Sequence, residues 1–181
     1  MRYVITDDMN TKNVSIDVYD KGYKNGKKVD SFIEMWKRKY REEKEFSFIF
    51  DTTNITTPDV KDCYKVIKLI REIKKKKIQY LKYSIITINS YSTKNLLFFI
   101  FKIQPPVAPV FMVKNKKEAD ELLTILTSNR IDSLMVNTYC EVNEVFKIDN
   151  VYKDKKMQNT IEAFHIIDDS VESLNNLIKE E

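Results

Sequence analysis

Few side chains of this sequence are placed to do acid–base or nucleophilic chemistry. His165 is the single histidine, and Asp168 and Asp169 follow it. A histidine general base needs a nucleophile and an orienting carboxylate within hydrogen-bond reach. His165 instead stands in an apolar stretch, and the two aspartates are typical of helix caps. The pattern favours a histidine that packs at the core or its edge, so we expect no enzyme and no catalytic residue.

The cysteine, histidine and aspartate residues are not spaced along the chain as metal ligands or a reactive thiol pair would be. Cys63 and Cys140 lie far apart and form no CxxC pair, and their apolar neighbours on a helix and a strand are typical of packing residues. Together with one histidine they fall short of the four ligands of a structural zinc site. Asp17, Asp51 and Asp59 could gather around a metal ion, but no spacing demands it. We therefore expect neither a metal nor another cofactor.

Composition removes several further classes of function. The only glycines are Gly22 and Gly26, so neither a P-loop nor a GxGxxG fingerprint can be written. The net charge is +4, and the basic run 74–77 comes without a groove-reading motif, so it predicts a solvated helix face and no nucleic-acid partner. The apolar run 96–101 is far below the ~20 residues of a transmembrane helix. The first ten residues lack a signal-peptide core, which predicts a cytoplasmic protein.

Apolar strands and amphipathic helices alternate along most of the chain. We predict strands at 3–6, 13–19, 46–55, 83–89 and 108–113, and helices at 28–44, 58–77, 92–103 and from 116 onward. Thr57 is the expected cap of the second helix, Ser92 or Thr93 that of the third, and Asn115 with Glu118 forms a capping box. The order β-β-α-β-α-β-α-β-α predicts an α/β fold with a mainly parallel sheet and an antiparallel opening edge.

The end of the chain follows a less regular pattern. We divide the chain into an α/β domain at 1–128 and a C-terminal extension at 129–181 that packs on the sheet or extends it. The pattern of residues 138–148 predicts a strand pair or a connecting segment. Residues 165–178 repeat a strand, cap and helix pattern, which predicts an added strand–helix unit.

Three segments together resemble the SpoIIAA-like fold of STAS and CRAL-TRIO domains. They are the strand FSFIFD ending in Asp51, the segment YLKYSIITINS, and the block STKNLLFFIFKIQPPVAPVFMVKNKKEADELL. The resemblance covers roughly residues 3–128. In STAS domains, the loop after such an aspartate carries an Asp-Ser pair whose serine is phosphorylated in anti-sigma antagonists. The resemblance implies a partner-binding surface in this chain at Asp51, Thr56, Thr57 and Asp59.

Thr57 takes the place of the phosphorylated serine in that comparison, although the Asp-Ser-Ser-Gly sequence of STAS domains is absent. A phosphate at a helix N-terminus is stabilised by free N–H groups and the helix dipole. The resemblance thus implies a phosphosite at Thr57. The alternative is that Thr57 only caps the helix.

CRAL-TRIO domains follow a strand that ends in Asn with an apolar helix and a proline-containing segment, which here match Asn89, 94–103 and Pro105. In the lipid-transfer members the helix is a gate over a cavity. Helix 94–103 is apolar all round, so its outer face needs a second cover. The candidates are the segment 131–181, a protein partner that contacts Leu97, Phe98 and Phe101, or a lipid.

From these patterns we expect a non-enzymatic protein-interaction or scaffolding module of STAS type that binds a protein partner or a second copy of itself. The alternative is a lipid-binding CRAL-TRIO-like module with 94–103 as the gate helix. That alternative requires a cavity of at least several hundred Å³ lined by Phe98, Phe99 and Phe101.

Overall fold

The computed structural model describes residues 1–8, 12–56, 59–128 and 133–149, which all belong to the unit Met1–Asn150. Within them the chain forms strands and helices in close alternation. In chain order they are β1 (Arg2–Asp8), β2 (Asn13–Tyr19), α1 (Val29–Arg41), β3 (Phe46–Asn54), α2 (Val60–Lys74), β4 (Leu81–Thr87), α3 (Tyr91–Ile103), β5 (Val110–Val113), α4 (Lys116–Thr127), α5 (Ser133–Val142) and β6 (Phe146–Ile148). The prediction of an α/β fold is confirmed.

The six strands form one mixed sheet in the order β1-β2-β3-β4-β5-β6. Strands β2 to β5 pair in parallel, whereas β1 is antiparallel to β2 and β6 is antiparallel to β5. The antiparallel opening edge is therefore as predicted. Strand β6 adds a second antiparallel edge from residues that we assigned to the C-terminal extension.

The helices α1, α2 and α3 connect the parallel strands and lie on one side of the sheet, because side chains from all three share a lining with β2 to β5. The parallel register of Val14 with Phe48 and of Ile16 with Phe50 directs alternate side chains of β2 and β3 to this side. These four side chains are at least half-buried, and Val14, Ile16 and Phe48 are fully enclosed.

A second apolar layer covers the other side of β4 and β5. Its members are the buried side chains Ile85, Phe111, Val113, Ala119, Leu122, Val136, Cys140 and Val145. They come from β4, β5, α4, α5 and the turn before β6. Phe46 pairs with Leu81 and Phe48 pairs with Ser84, so β4 has one extra residue between these two pairs. Because of this register shift, the side chains of Leu81 and Ser84 both lie on the α1–α3 side of the sheet.

Three predicted helix starts can be compared with the structure. Asn115 is the N-cap of α4, and its Oδ1 accepts from the backbone N–H of Glu118 at 3.0 Å, as predicted. The predicted cap Thr57 is wrong: Asp59 is the N-cap of α2 and accepts from two backbone N–H groups. The predicted caps of the third helix are also wrong, because α3 begins after Ser90. Side-chain oxygens at neighbouring positions compete for the same free N–H groups.

The strand pair predicted as one alternative for residues 138–148 is wrong. The segment begins inside helix α5, and only Phe146–Ile148 forms a strand. Cys140, which we predicted in a strand, therefore lies on the buried side of α5 with Val136. The spacing of these two residues, i and i+4, is that of one helix face. Residues 165–178 lie outside the described part of the chain.

Candidate functional site

A cavity of about 130 Å³ lies between the sheet and helices α1, α2 and α3. Its wall is built from the central strands, the three helices and the segment 106–108 that precedes β5. Almost all of the wall is apolar. The cavity is thus a defect in the packing of the main core, where protein interiors ordinarily leave few voids larger than a water molecule.

Aromatic side chains hold one end of this space. The ring of Phe32 lies 5.6 Å from that of Trp36 and 5.8 Å from that of Phe50, measured between centroids. Trp36 in turn meets Phe48 edge to face at 5.0 Å. Flat, rigid rings in tilted and edge-on contact cannot fill an irregular gap as flexible aliphatic chains do. The aromatic cluster therefore keeps the space open beside it.

Two hydrogen-bonding groups of cavity-lining residues have no partner in the described structure. They are the indole N–H of Trp36 and the hydroxyl of Thr93, and the two residues are only 5% and 4% exposed. The hydroxyl of Thr52, in the same wall, donates to the carbonyl of Thr87 at 2.6 Å. Both atoms are fully enclosed by protein, so they leave the surface of the cavity almost wholly apolar although a buried group without a partner is costly.

Two ionisable side chains of the wall, Tyr3 and Cys63, remain uncharged near neutral pH, and the N-terminal ammonium of the lining residue Met1 is paired with Asp62. Burial, followed by the nearby Cys63, Asp62 and Asp59, raises the pKa of Tyr3 far above its usual value. Burial, reinforced by the charges of Asp62 and Asp59, raises the pKa of the Cys63 thiol to about 12. Both side chains line the cavity. The cavity is therefore suited to an uncharged occupant.

Helix α3 divides its apolar residues between two neighbours. Leu97 and Phe101 line the cavity, and their predicted role at a partner-binding surface stays a prediction. Phe98 is buried and meets Phe146 of β6 edge to face at 5.6 Å. The Lys94 ammonium lies 3.6 Å from the centroid of the Phe146 ring. Phe146 thus covers part of the outer face of α3 from within the predicted C-terminal extension.

The end of β3 and the loop that follows it are held by hydrogen bonds within β3 and by contacts to Asp20 and Lys21. One oxygen of Asp51 accepts from the backbone N–H of Thr53 at 2.9 Å and from its hydroxyl at 2.6 Å. Thr56 donates its hydroxyl to Asp20 at 2.6 Å. Asp59 caps α2 and lies 3.6 Å from the Lys21 ammonium. Thr57 lies outside the described residues, so its predicted phosphosite and partner-binding roles stay predictions.

Two carboxylates stand side by side on the face of the sheet away from α1–α3. The register of β2 and β3 pairs Asp17 with Asp51. Burial, and then the charge of Asp51, raises the pKa of Asp17, while Lys116 opposes the shift. In the part of the chain that the structure describes, no three carboxylate, thiol or imidazole groups come together as metal ligands would. His165, Asp168 and Asp169 lie outside that part.

Sequence reasoning did not find the cavity or its two unpartnered groups. The helical periodicity placed Trp36 on the buried face of α1, and Thr93 was considered only as a cap. The one signal was the need of a buried indole N–H for a hydrogen-bond partner. The surroundings of Trp36 could not be derived from neighbouring residues, because the wall comes from eight separate elements.

Comparisons with known proteins add no identity: no family model, no curated protein and no solved structure matches this chain. Across the described ranges, no helix has both the length and the apolar character needed to cross a membrane.

Proposed function

We propose that this protein binds a small, uncharged, mainly apolar molecule in the cavity between the sheet and helices α1–α3. The observation that carries the proposal is an almost wholly apolar space of about 130 Å³ inside the main core. A fully enclosed void of that size would cost a folded protein on the order of 3 kcal/mol at ~24 cal/mol per Å³, which sets the upper limit here. An apolar ligand would recover part of that loss.

The volume limits the ligand. An engineered apolar cavity of ~150 Å³ stays dry and binds benzene, whereas sites for drug-sized ligands measure ~300–1,000 Å³. The cavity of about 130 Å³ falls short of the several hundred Å³ that a lipid-transfer domain requires, and Phe98 packs on Phe146 instead of lining it. The proposed ligand is therefore a molecule about the size of one aromatic ring, and a membrane lipid is too large.

The fold is consistent with this proposal. A sheet whose strands follow chain order, with α1 to α3 on one side, supports our proposal of a SpoIIAA-like arrangement. Under that proposal, α3 and the following Pro106–Ala108 segment are the wall elements that correspond to the gate of CRAL-TRIO domains. This correspondence remains an analogy of fold, and the cavity itself carries the functional argument.

Titration with fluorobenzene, followed by fluorine NMR, tests the proposal. We expect saturable line broadening from one site and a change in the fluorescence of Trp36, the single tryptophan of the chain. The variant Ala108→Leu, which adds three carbons to the wall, should abolish both signals. Ile78→Ala is the matched control, because Ile78 is 60% exposed and does not line the cavity. Absence of saturable binding to the wild-type protein would refute the proposed function.

A second candidate function is the protein-interaction role that we expected from the sequence. It is favoured by the outer surface of α5, where Met135 is 54% and Val142 is 75% exposed. These residues are seven apart and lie on one face of the helix, opposite the buried Val136 and Cys140. An apolar stripe of this kind is typical of a surface that a partner or a second copy covers.

Sedimentation velocity at rising protein concentration tests the second candidate. If α5 forms a contact between copies, wild-type protein should associate and Val142→Glu should remain monomeric, whereas Ile78→Glu, an equal change at another exposed apolar position, should behave as wild type. If all three proteins sediment as monomers, self-association through α5 is wrong. The predicted partner-binding residues Asp51, Thr56, Thr57 and Asp59 stay predictions.

A further inference from the structure

We propose that the open face of strands β1–β3 is a docking surface for a partner protein, and that an arginine side chain of this partner binds between Asp17 and Asp51. The open face is the side of these three strands that points away from α1–α3. Its central side chains are those of Val4, Asp17, Tyr19, Ile49 and Asp51. The inference goes beyond the proposed function, since it involves neither the cavity nor the apolar stripe of α5.

The open face lacks the cover that parallel strands ordinarily have. Strands β2 and β3 pair in parallel, and parallel strands occur almost only in sheets with both faces covered. On the α1–α3 side, Val14, Ile16 and Phe48 are fully enclosed. On the other side, the second apolar layer under α4 and α5 includes no side chain of β1–β3 among the described residues. Val4 and Ile49 therefore remain only half-buried, which suits a surface that a partner covers.

The register of β2 and β3 places two carboxylates next to each other on this face. Asp17 pairs with Asp51, and neighbouring strands lie ~4.8 Å apart. One oxygen of Asp51 accepts from Thr53, but neither carboxylate forms an ion pair within the described residues. Lys116 of α4 acts on the pKa of Asp17 without pairing with it. Because two ionised carboxylates at this distance repel each other, a cation bound between them would stabilise both.

The sign of the charge limits the kind of partner. A second copy that presented the same face would bring two more carboxylates, and a nucleic acid or an anionic membrane would bring negative phosphates. Like charges placed opposite each other oppose association. The partner that fits is therefore a protein with a basic side chain at the centre of its contact surface.

The ring of Tyr19 favours a guanidinium over an ammonium group. Tyr19 lies two positions after Asp17 on the same face, and its ring stacks on that of Tyr23 with 4.0 Å between centroids. Burial, followed by the charges of Asp17, Tyr23 and Asp51, raises the pKa of Tyr19, so the ring lies near both carboxylates. A planar guanidinium can donate to two carboxylates and stack on an aromatic ring, whereas an ammonium acts as a point charge.

A matched pair of probes tests the inference on the full chain. N-acetylarginine amide and its uncharged analogue N-acetylcitrulline amide are titrated while backbone amide shifts are followed by NMR. We expect saturable shifts at Val4, Asp17 and Asp51 with the arginine probe, and about fivefold weaker binding of the citrulline probe. Asp17→Asn and Asp51→Asn keep an acceptor oxygen, and each should weaken the arginine probe by about fivefold, the upper range for one solvent-accessible ion pair.

Asp30→Asn is the control, because it makes the same change on α1, where Asp30 pairs with Lys65. It should bind the arginine probe as the wild type does. A bound guanidinium should also lower the raised pKa of Asp17, which carbon NMR of its carboxylate measures. If the arginine probe gives no saturable shifts on the open face, or binds the wild type, Asp17→Asn and Asp51→Asn equally, the inference is overturned. None of these three aspartates lines the cavity, so fluorobenzene binding tests the proposed function separately.

Discussion

The substitution Ala108→Leu offers a direct measure of the space in the core. Ala108 is 4% exposed and lines the cavity. Three additional carbons are worth at most about 2.4 kcal/mol, at ~0.8 kcal/mol for each buried methylene. Fixing the longer side chain costs about 0.5–1 kcal/mol. We therefore expect the free energy of unfolding to rise by about 1 kcal/mol, which is well below the ~3 kcal/mol cost of a void of this volume.

Ala119→Leu is the matched comparison for this substitution. Ala119 is equally buried at 3% exposed, but it belongs to the second apolar layer under α4 and does not line the cavity. The same three carbons should there overpack the core and cost about 1–3 kcal/mol. Both variants replace alanine by leucine, so the difference between their free energies of unfolding measures how much free space surrounds each alanine.

Urea denaturation and thermal unfolding, both without ligand, provide the assay. For a chain of this length, 1 kcal/mol corresponds to about 2–4 °C in Tm. We expect Ala108→Leu to unfold a few degrees above the wild type and Ala119→Leu to unfold below it. If Ala108→Leu loses as much stability as Ala119→Leu, the space beside Ala108 is filled in the folded protein and the reasoning that led to the ligand proposal is refuted.

Three further predictions concern other parts of the molecule. Burial and the charge of Asp51 raise the pKa of Asp17, so the folded protein is destabilised when Asp17 is ionised. This destabilisation is absent at low pH and appears as the pH rises through the raised pKa. The variant Asp17→Asn should therefore have a higher urea midpoint than the wild type at pH ~7 and lose that advantage near pH ~4. Asn115→Ala should lower the free energy of unfolding by about 1 kcal/mol through loss of the N-cap of α4, and an unchanged urea midpoint would contradict this. The thiols of Cys63 and Cys140 are buried, and burial raises the pKa of each. An aromatic disulfide reagent should therefore modify them only as the protein unfolds. Rapid modification of the native protein would show that at least one of the two thiols is accessible to solvent.

The small size of the cavity also bears on the choice between the two functions that we expected from the sequence. A scaffold has a closed core, and a lipid carrier has a large cavity. This core has an intermediate void of about 130 Å³, with Leu97 and Phe101 in its wall. Leu97 and Phe101, which we predicted at a partner-binding surface, thus also contribute to the cavity wall, and α5 carries the exposed apolar side chains Leu134, Met135 and Val142.

The sequence by itself determined the class of fold and most of the element order. Period-two alternation at Val14, Ile16 and Val18 and the continuous apolar run of β3 depend only on neighbouring residues, and so does the box formed by Asn115 and Glu118. Such local patterns survive whatever the rest of the chain does, since backbone geometry sets their period. For this reason the antiparallel opening edge and the strand–helix alternation could be predicted.

Only the tertiary structure decided how α5 packs, where the cavity forms and which buried polar groups lack a partner. The segment around Cys140 became a helix because its buried face packs on α4, a contact that no local pattern encodes. The cavity is a difference between the volume between three helices and five strands and the volume of the side chains that fill it. Trp36 and Thr93 are 57 positions apart along the chain, and their shared lack of a partner exists only once that enclosure has formed.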